Sequence, residues 1–246
     1  MLQLITQSLV KISDENEPIR YASGVIVEYR GYDFLLTVSH ATGDAGKWSI
    51  QLESMEDQGS LLYGLGQMGF LKQYTFNLKR GTSKERDIDF SYKLLGEKVS
   101  ARYQDFRSDG GKIVKVVDEA KLTVASDLSQ EPHVDAEYGF WGLTRQVYEP
   151  GTQHLAIVPV CVGPMDYIKV NEHTDLYQFR LPQKDQQKGI AEYENCSGAP
   201  IFDRDGNLVS LVVETDQRTR YIYGIRLKKM RSMLDVEIDM HQNDSF

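Results

Sequence analysis

The chain has 246 residues, of which 41% are hydrophobic, and it carries a formal net charge of -8. This length and composition allow a sizeable buried core in one domain or two. The negative charge argues against a nucleic acid or an anionic membrane surface as the main partner. The chain also lacks the run of about 18 apolar residues that a membrane span needs.

Cysteine content and the first residues predict a compartment. The chain has only Cys161 and Cys196, whereas small extracellular domains commonly depend on several disulfides. Residues 1–7 lack the basic region and the long apolar core of a secretory signal peptide. We therefore expect a cytoplasmic protein in a reducing environment, most simply a bacterial one.

Short apolar or alternating runs, separated by Gly, Asp and Ser clusters, predict an all-β chain. In chain order the runs cover residues 25–29, 34–36, 61–63, 113–117, 155–160, 176–179, 201–203, 208–213 and 221–223. The Asp205-Gly206 step predicts a hairpin turn between its neighbouring runs. Helical spacing occurs only in residues 227–238, where one face is apolar.

Three segments supply the groups that nucleophilic catalysis requires, in the order His, Asp, Ser. His40 follows an apolar run, Asp89 lies at an acidic strand start, and Ser197 lies in the sequence Asn-Cys-Ser-Gly-Ala-Pro at 195–200. A serine hydroxyl is a weak nucleophile at neutral pH, so an imidazole must take its proton. A buried carboxylate then fixes the imidazole tautomer and stabilises the imidazolium.

These motifs resemble those of trypsin-like serine proteases of the compact bacterial kind. In that family the histidine ends a Thr-Ala-Ala-His segment, similar to Thr-Val-Ser-His at 37–40, and the nucleophile lies in Gly-Asp-Ser-Gly-Gly-Pro, similar to 195–200. The Gly-Phe-Trp-Gly segment at 139–142 resembles the strand that opens the second barrel of the family. The resemblance implies a chymotrypsin-type fold of two six-stranded antiparallel β-barrels with a C-terminal α-helix.

The same resemblance implies a division of the chain and a function. Residues 1–105 would form the barrel that carries His and Asp, and residues 106–246 a crossover, the barrel that carries Ser, and the closing helix. The implied activity is that of a serine endopeptidase with His40, Asp89 and Ser197 as its catalytic residues. We expect a polypeptide substrate and no metal or other cofactor.

Two sequence departures concern the turn at the nucleophile. The family has Asp where this chain has Cys196, so activation by a freed N-terminal amine is not implied. The family has Gly as its first oxyanion-hole donor, where this chain has Asn195, a residue that tolerates left-handed backbone better than most others. Backbone N–H groups of Asn195 and Ser197 are the predicted oxyanion hole.

Alternatives remain at the nucleophile and at the carboxylate. Cys196 is the alternative nucleophile, but related cysteine enzymes place the thiol directly before the Gly-small-Pro run, where this chain has Ser197. Asp87 is the alternative carboxylate. We prefer Asp89, since the other frame would put a charge at a small buried position of the strand.

The specificity pocket is predicted from the resemblance. Its floor, six residues before the nucleophile, would be Ala191, so a preference for Arg or Lys is not implied. Glu192, Glu214 and Thr215 are further candidates for substrate binding. The alternative function is a catalytically silent or partner-activated domain of the same fold, which binds a regulatory protein.

Overall fold

The computed structural model describes residues 1–15, 17–43, 46–55, 59–77, 82–109, 112–149, 154–183, 193, 196–216 and 220–244. Strands account for most of them. The strands are β1 Thr6–Ile12, β2 Pro18–Tyr29, β3 Tyr32–Thr37, β4 Lys47–Met55, β5 Gly59–Gly64, β6 Gly69–Asn77, β7 Thr82–Leu94, β8 Arg102–Asp109, β9 Lys112–Ala120, β10 Val124–Ala125, β11 Glu137–Glu149, β12 His154–Asn171, β13 Leu176–Arg180, β14 Pro200–Asp203, β15 Leu208–Asp216 and β16 Tyr221–Gly224. The helices are α1 Leu2–Ile5, α2 Ser39–Thr42 and α3 Arg231–Asp244.

The N-terminal half forms an eight-stranded sheet in the order β5-β4-β1-β2-β3-β7-β6, with β10 parallel to β2. The two ends of this order, β5 and β6, are consecutive in the chain and separated only by residues 65–68. Leu65 and Met68 in this connection are buried in the core, and the Leu65 N–H donates to the Trp48 carbonyl at 2.9 Å. The sheet therefore has eight strands, two more than the resemblance implied for this half, since residues 65–68 divide β5 from β6 and the short β10 is added.

The C-terminal half is a closed six-stranded barrel in the order β11-β12-β13-β16-β15-β14. All its neighbouring strand pairs are antiparallel. The predicted hairpin joins β14 to β15, and Gly206 in its turn has a φ of +87°. Such a left-handed conformation is accessible to glycine without strain.

The run at 208–213 is apolar apart from the buried Ser210, because β15 is buried on both faces. Val209 and Val212 point into the C-terminal barrel, while Leu208 and Leu211 belong to the core of the N-terminal half. A strand covered on both sides needs no polar alternation. β15 therefore joins the two halves.

The predicted C-terminal helix is confirmed as α3, preceded by a 3₁₀ turn over Leu227–Met230. Leu234 and Ile238 of α3 are buried in the core of the N-terminal half. Tyr29 donates a hydrogen bond to Asp235 at 2.9 Å. The helix thus follows the C-terminal barrel and packs back onto the N-terminal half. None of the helices in the described ranges has the length and apolar character to cross a bilayer.

A separate hairpin of β8 and β9 connects the two halves. Residue 105, the predicted boundary, lies within β8, while the closed barrel begins at β11 and ends with β16. The division at residues 1–105 and 106–246 remains a prediction.

Candidate active site

The turn that carries Ser197 is wedged between the two halves of the molecule. Gly198 has a φ of +85°, and its N–H donates to the Val212 carbonyl at 2.8 Å. A Cβ atom at this glycine would lie 2.1 Å from the Ser23 carbonyl oxygen and 2.3 Å from Thr37 Oγ1. The turn therefore requires glycine both for its backbone conformation and for its close contact with the N-terminal sheet.

Ser23 bonds to this turn and to two neighbouring strands. Its N–H donates to the Ser197 carbonyl at 3.1 Å, its carbonyl accepts from Thr37 Oγ1 at 2.7 Å, and its Oγ accepts from the Leu143 N–H at 3.2 Å. Ser23 and Thr37 are fully buried. These bonds hold the Ser197 backbone against β2 and connect β2 to β11.

His40 and Asp89 come from two irregular points of the N-terminal sheet. His40 lies in α2, directly after β3. Asp89 lies in β7 at a break in its register with β6, where Ile88 pairs with Leu71 but the next pair is Ser91 with Phe70. The two residues between them form a bulge, and a bulge redirects side chains out of the regular alternation.

These elements bring three side chains together. His40 Nδ1 lies 2.6 Å from Asp89 Oδ2, and His40 Nε2 lies 2.8 Å from Ser197 Oγ. Ser197 Oγ is also 3.4 Å from the Val213 carbonyl oxygen. The imidazole is 47% exposed and the carboxylate 27%, so a ligand can reach the histidine and the serine while the aspartate lies behind them.

The hydrogen bonds define where the protons lie. An ionised carboxylate only accepts, so Nδ1 of a neutral imidazole donates to Asp89 and Nε2 accepts from the Ser197 hydroxyl. Burial raises the pKa of Asp89, but hydrogen bonds from the His40 side chain, the His40 backbone and Ser39 outweigh it and leave the pKa below its ordinary value. The carboxylate therefore stays ionised at neutral pH.

This depressed pKa predicts an acid-dependent contribution to stability. Because the folded-state value is the lower one, the contribution is present above the unfolded pKa of about 3.9 and is lost as the pH falls through the folded value. We expect the difference in unfolding free energy between the wild type and Asp89→Asn to change as the pH falls below about 4. Urea unfolding followed by circular dichroism checks this, and a difference that stays constant down to pH 2.5 (about 1.5 units below that unfolded value) would contradict it.

Cys196 is buried beside the serine and does not face the histidine cleft. It is 0% exposed and belongs to the core of the C-terminal barrel, where a Cβ on Gly142 would lie 3.0 Å from its Sγ. Burial raises the pKa of the Cys196 thiol to about 12. Since the thiolate is the nucleophilic form, this environment favours Ser197 over Cys196 as nucleophile.

A difference in thiol reactivity follows. Cys161 is exposed and Cys196 is buried, and both are free. Iodoacetamide should alkylate Cys161 in the native protein, and Cys196 only after unfolding, as peptide mass spectrometry measures. Rapid alkylation of native Cys196 would mean that the thiol is accessible and reactive.

Other predicted site residues differ in how far the structure describes them. Asn195, Ala191 and Glu192 lie outside the described residues, as does the side chain of Asp87. Glu214 and Thr215 lie at the end of β15, directly after Val213, with Glu214 exposed and Thr215 half-buried.

Two further observations describe the Ser197 backbone and the side chains that could bind a metal. Within the described ranges, the Ser197 N–H donates to no acceptor. No cluster of three or more His, Cys, Asp or Glu side chains suited to a metal occurs in that same part of the chain.

Sequence reasoning missed the polar residues that support the three side chains. Ser39 donates to Asp89 Oδ1 at 2.9 Å, and its position directly before His40 was the available signal. Ser23 belongs to no recognised motif, and Thr37 opens the Thr-Val-Ser-His motif, but neither position signals a contact with Gly198. Their role depends on the pairing of β2 with β3 and on the distant turn.

Comparison with known proteins identifies the fold. No protein-family model matches the chain, and no curated protein sequence does. The structure is similar to that of GrC, with a TM-score of 0.53, 9% sequence identity, and coverage of 96% of this chain and 95% of the other. It is also similar to the scabies mite inactivated protease paralogue S-D1, with a TM-score of 0.53, 10% identity, and coverage of 98% and 93%.

These similarities confirm the predicted fold class. The chain is an all-β domain of chymotrypsin type with a C-terminal helix. It is therefore protease-like in architecture. At identities near 10% the comparisons show the fold alone, so the chemistry depends on the side chains of this chain.

Proposed function

We propose that the protein is a serine endopeptidase of trypsin-like type. The observation that carries the proposal is the continuous hydrogen-bonded chain from Asp89 through His40 to Ser197, with bond lengths of 2.6 and 2.8 Å. These are the contacts that a base needs with its nucleophile and with its orienting group. A histidine satisfied merely as a structural residue would not need a half-buried serine hydroxyl at the cleft on its second nitrogen.

The geometry supports acyl-enzyme chemistry. Ser197 Oγ attacks the peptide carbonyl carbon while His40 Nε2 takes the hydroxyl proton, and Asp89 stabilises the resulting imidazolium. His40 then returns that proton to the leaving amine, whose bond to carbon breaks. A water molecule, deprotonated by the same nitrogen, hydrolyses the Ser197 ester and regenerates the hydroxyl.

The oxyanion hole and substrate contacts form part of the same proposal. The Ser197 N–H and the Asn195 N–H would donate to the oxyanion. Ala191 and Glu192 would line the specificity pocket. Glu214 and Thr215, which follow Val213 on β15, would contact the substrate, and the exposed Glu214 carboxylate favours a basic or polar substrate side chain.

The proposed enzyme acts on polypeptides in the cytoplasm and is of the compact bacterial kind. The two free cysteines support a reducing compartment, because neither contributes a disulfide. A net charge of -8 favours a protein substrate over nucleic acids or anionic membranes.

Hydrolysis of an unfolded protein substrate tests the proposal. Wild type should generate new amino termini, and Ser197→Ala should lower kcat by about 10⁵-fold or more, since the nucleophile and its base act as a unit. Cys196→Ala is the matched control: it changes the neighbouring side chain in the same turn and should retain hydrolysis. Loss of activity in Cys196→Ala with retention in Ser197→Ala would reverse the assignment.

One observation favours a second function, a partner-activated or silent binding domain. The position before the nucleophile is the buried apolar Cys196, so no carboxylate at that position receives an activating amine. The mite protein of similar fold is an inactivated paralogue. Hydrolysis that appears only when a cellular partner is added would support partner activation.

A further inference from the structure

The two oxygens of the Asp89 carboxylate accept hydrogen bonds from different donors. Oδ1 accepts from the His40 backbone N–H at 2.8 Å and from the Ser39 hydroxyl at 2.9 Å. Oδ2 accepts from His40 Nδ1 at 2.6 Å. Among the described residues, Ser39 is thus the one donor to this carboxylate that does not belong to the histidine.

Ser39 donates its single hydroxyl proton to Asp89 and not to its other neighbour. The Ile88 carbonyl lies 3.5 Å from Ser39 Oγ, which is too long to compete with a charge-assisted bond of 2.9 Å. Ser39 occupies the first position of α2, so its side chain is fixed by the same helix that carries His40.

The second bond to Oδ1 has a consequence for orientation. A carboxylate can turn about its Cβ–Cγ bond, and one donor on Oδ1 leaves a lone pair of that oxygen unsatisfied in a partly buried site. Asp89 also lies in a bulge, where the regular ladder does not restrain it. Two donors on Oδ1 fix the plane of the carboxylate and leave Oδ2 for the imidazole.

We propose that Ser39 is a positioning residue for peptide hydrolysis, which orients the Asp89 carboxylate so that Oδ2 faces His40 Nδ1. This inference rests on the proposed function for its kinetic consequence. Its structural consequence, the stability of the bond between Asp89 and Nδ1, holds independently of any substrate.

Three variants test the proposal. Ser39→Ala should lower kcat about tenfold and leave KM within about twofold, because the bond acts on the base and not on the substrate. The Nδ1 proton of His40, observed by ¹H NMR, should exchange with water faster in this variant. Ser39→Thr restores a hydroxyl and should recover the wild-type kcat and the wild-type exchange rate of the Nδ1 proton. Thr42→Val, which removes a hydroxyl bonded to the Val38 carbonyl in the same helix, should change neither.

Opposite results separate this inference from the proposed function. Wild-type kcat and wild-type Nδ1 exchange in Ser39→Ala would overturn the positioning role. An equal loss in Thr42→Val would overturn it too, since the effect would then reflect helix stability. If the wild type hydrolyses no peptide, the proposed function fails, while the exchange rates of the same variants still decide whether Ser39 orients Asp89.

Discussion

Replacement of His40 by alanine is expected to lower kcat for peptide hydrolysis by about 10⁵-fold to 10⁶-fold. Without the imidazole, Ser197 Oγ loses the acceptor 2.8 Å away, and its hydroxyl returns to the low reactivity of a free alcohol. KM should change little, since the imidazole acts on the reaction and not on the distant parts of the substrate. Steady-state kinetics with a fluorogenic peptide gives both constants.

His173→Ala is the control for this variant. His173 lies in the turn between β12 and β13 and is exposed, so its removal should leave kcat unchanged. A loss of less than about 100-fold in His40→Ala would mean that another group acts as the base, because losing a triad member costs far more than that.

Substitution of Gly198 by alanine is expected to lower the free energy of unfolding by about 4 kcal/mol, from left-handed strain together with overpacking. The added methyl group would lie 2.1 Å from the Ser23 carbonyl oxygen. Relief of this contact requires the Ser197 turn to move away from β2. The rate of peptide hydrolysis should therefore fall as well. Urea denaturation and an activity assay measure the two effects.

Gly206→Ala is the control that separates the cost of left-handed backbone strain from the cost of the steric clash at Gly198. Gly206 has a φ of +87°, close to the +85° of Gly198, but the nearest atom to its added Cβ is 3.8 Å away. This control should therefore cost only about 1–2 kcal/mol, the left-handed penalty alone. Equal losses in both variants would show that the contact of Gly198 with Ser23 and Thr37 is unimportant.

Much of the strand content could be predicted, because apolar runs bounded by turns report burial directly. The runs at 25–29, 208–213 and 221–223 lie within β2, β15 and β16. β1 was missed, since it begins with Thr6, Gln7 and Ser8, which are buried polar residues. Thr6 Oγ1 donates to the Trp141 carbonyl at 2.9 Å, and a partner 135 residues away leaves no local signal.

The break between β5 and β6 was also beyond sequence patterns. It depends on residues 65–68, where buried Leu65 bonds to β4 through its backbone. The composition of residues 65–68 is equally compatible with an exposed turn, so it does not predict a buried connection. The expected count of six strands holds for the closed C-terminal barrel, whereas the N-terminal sheet has eight.

The three main residues of the candidate site could be selected from motifs. The residues and the bulge that position them could not. Spacing and residue type suggested His40, Asp89 and Ser197, and the structure brings these three into contact. The bulge at Asp89 depends on the register between β6 and β7, which sequence alternation does not fix when the partner strand is unknown.

Fluorophosphonates modify only activated serines, so mapping the adduct reports whether His40 activates Ser197. We expect one adduct on native wild-type protein, on the peptide that contains Ser197, with no adduct in Ser197→Ala or His40→Ala. An adduct confined to another residue, or an unmodified wild-type protein both alone and with cellular extract, would show that these side chains do not form a working nucleophile and base.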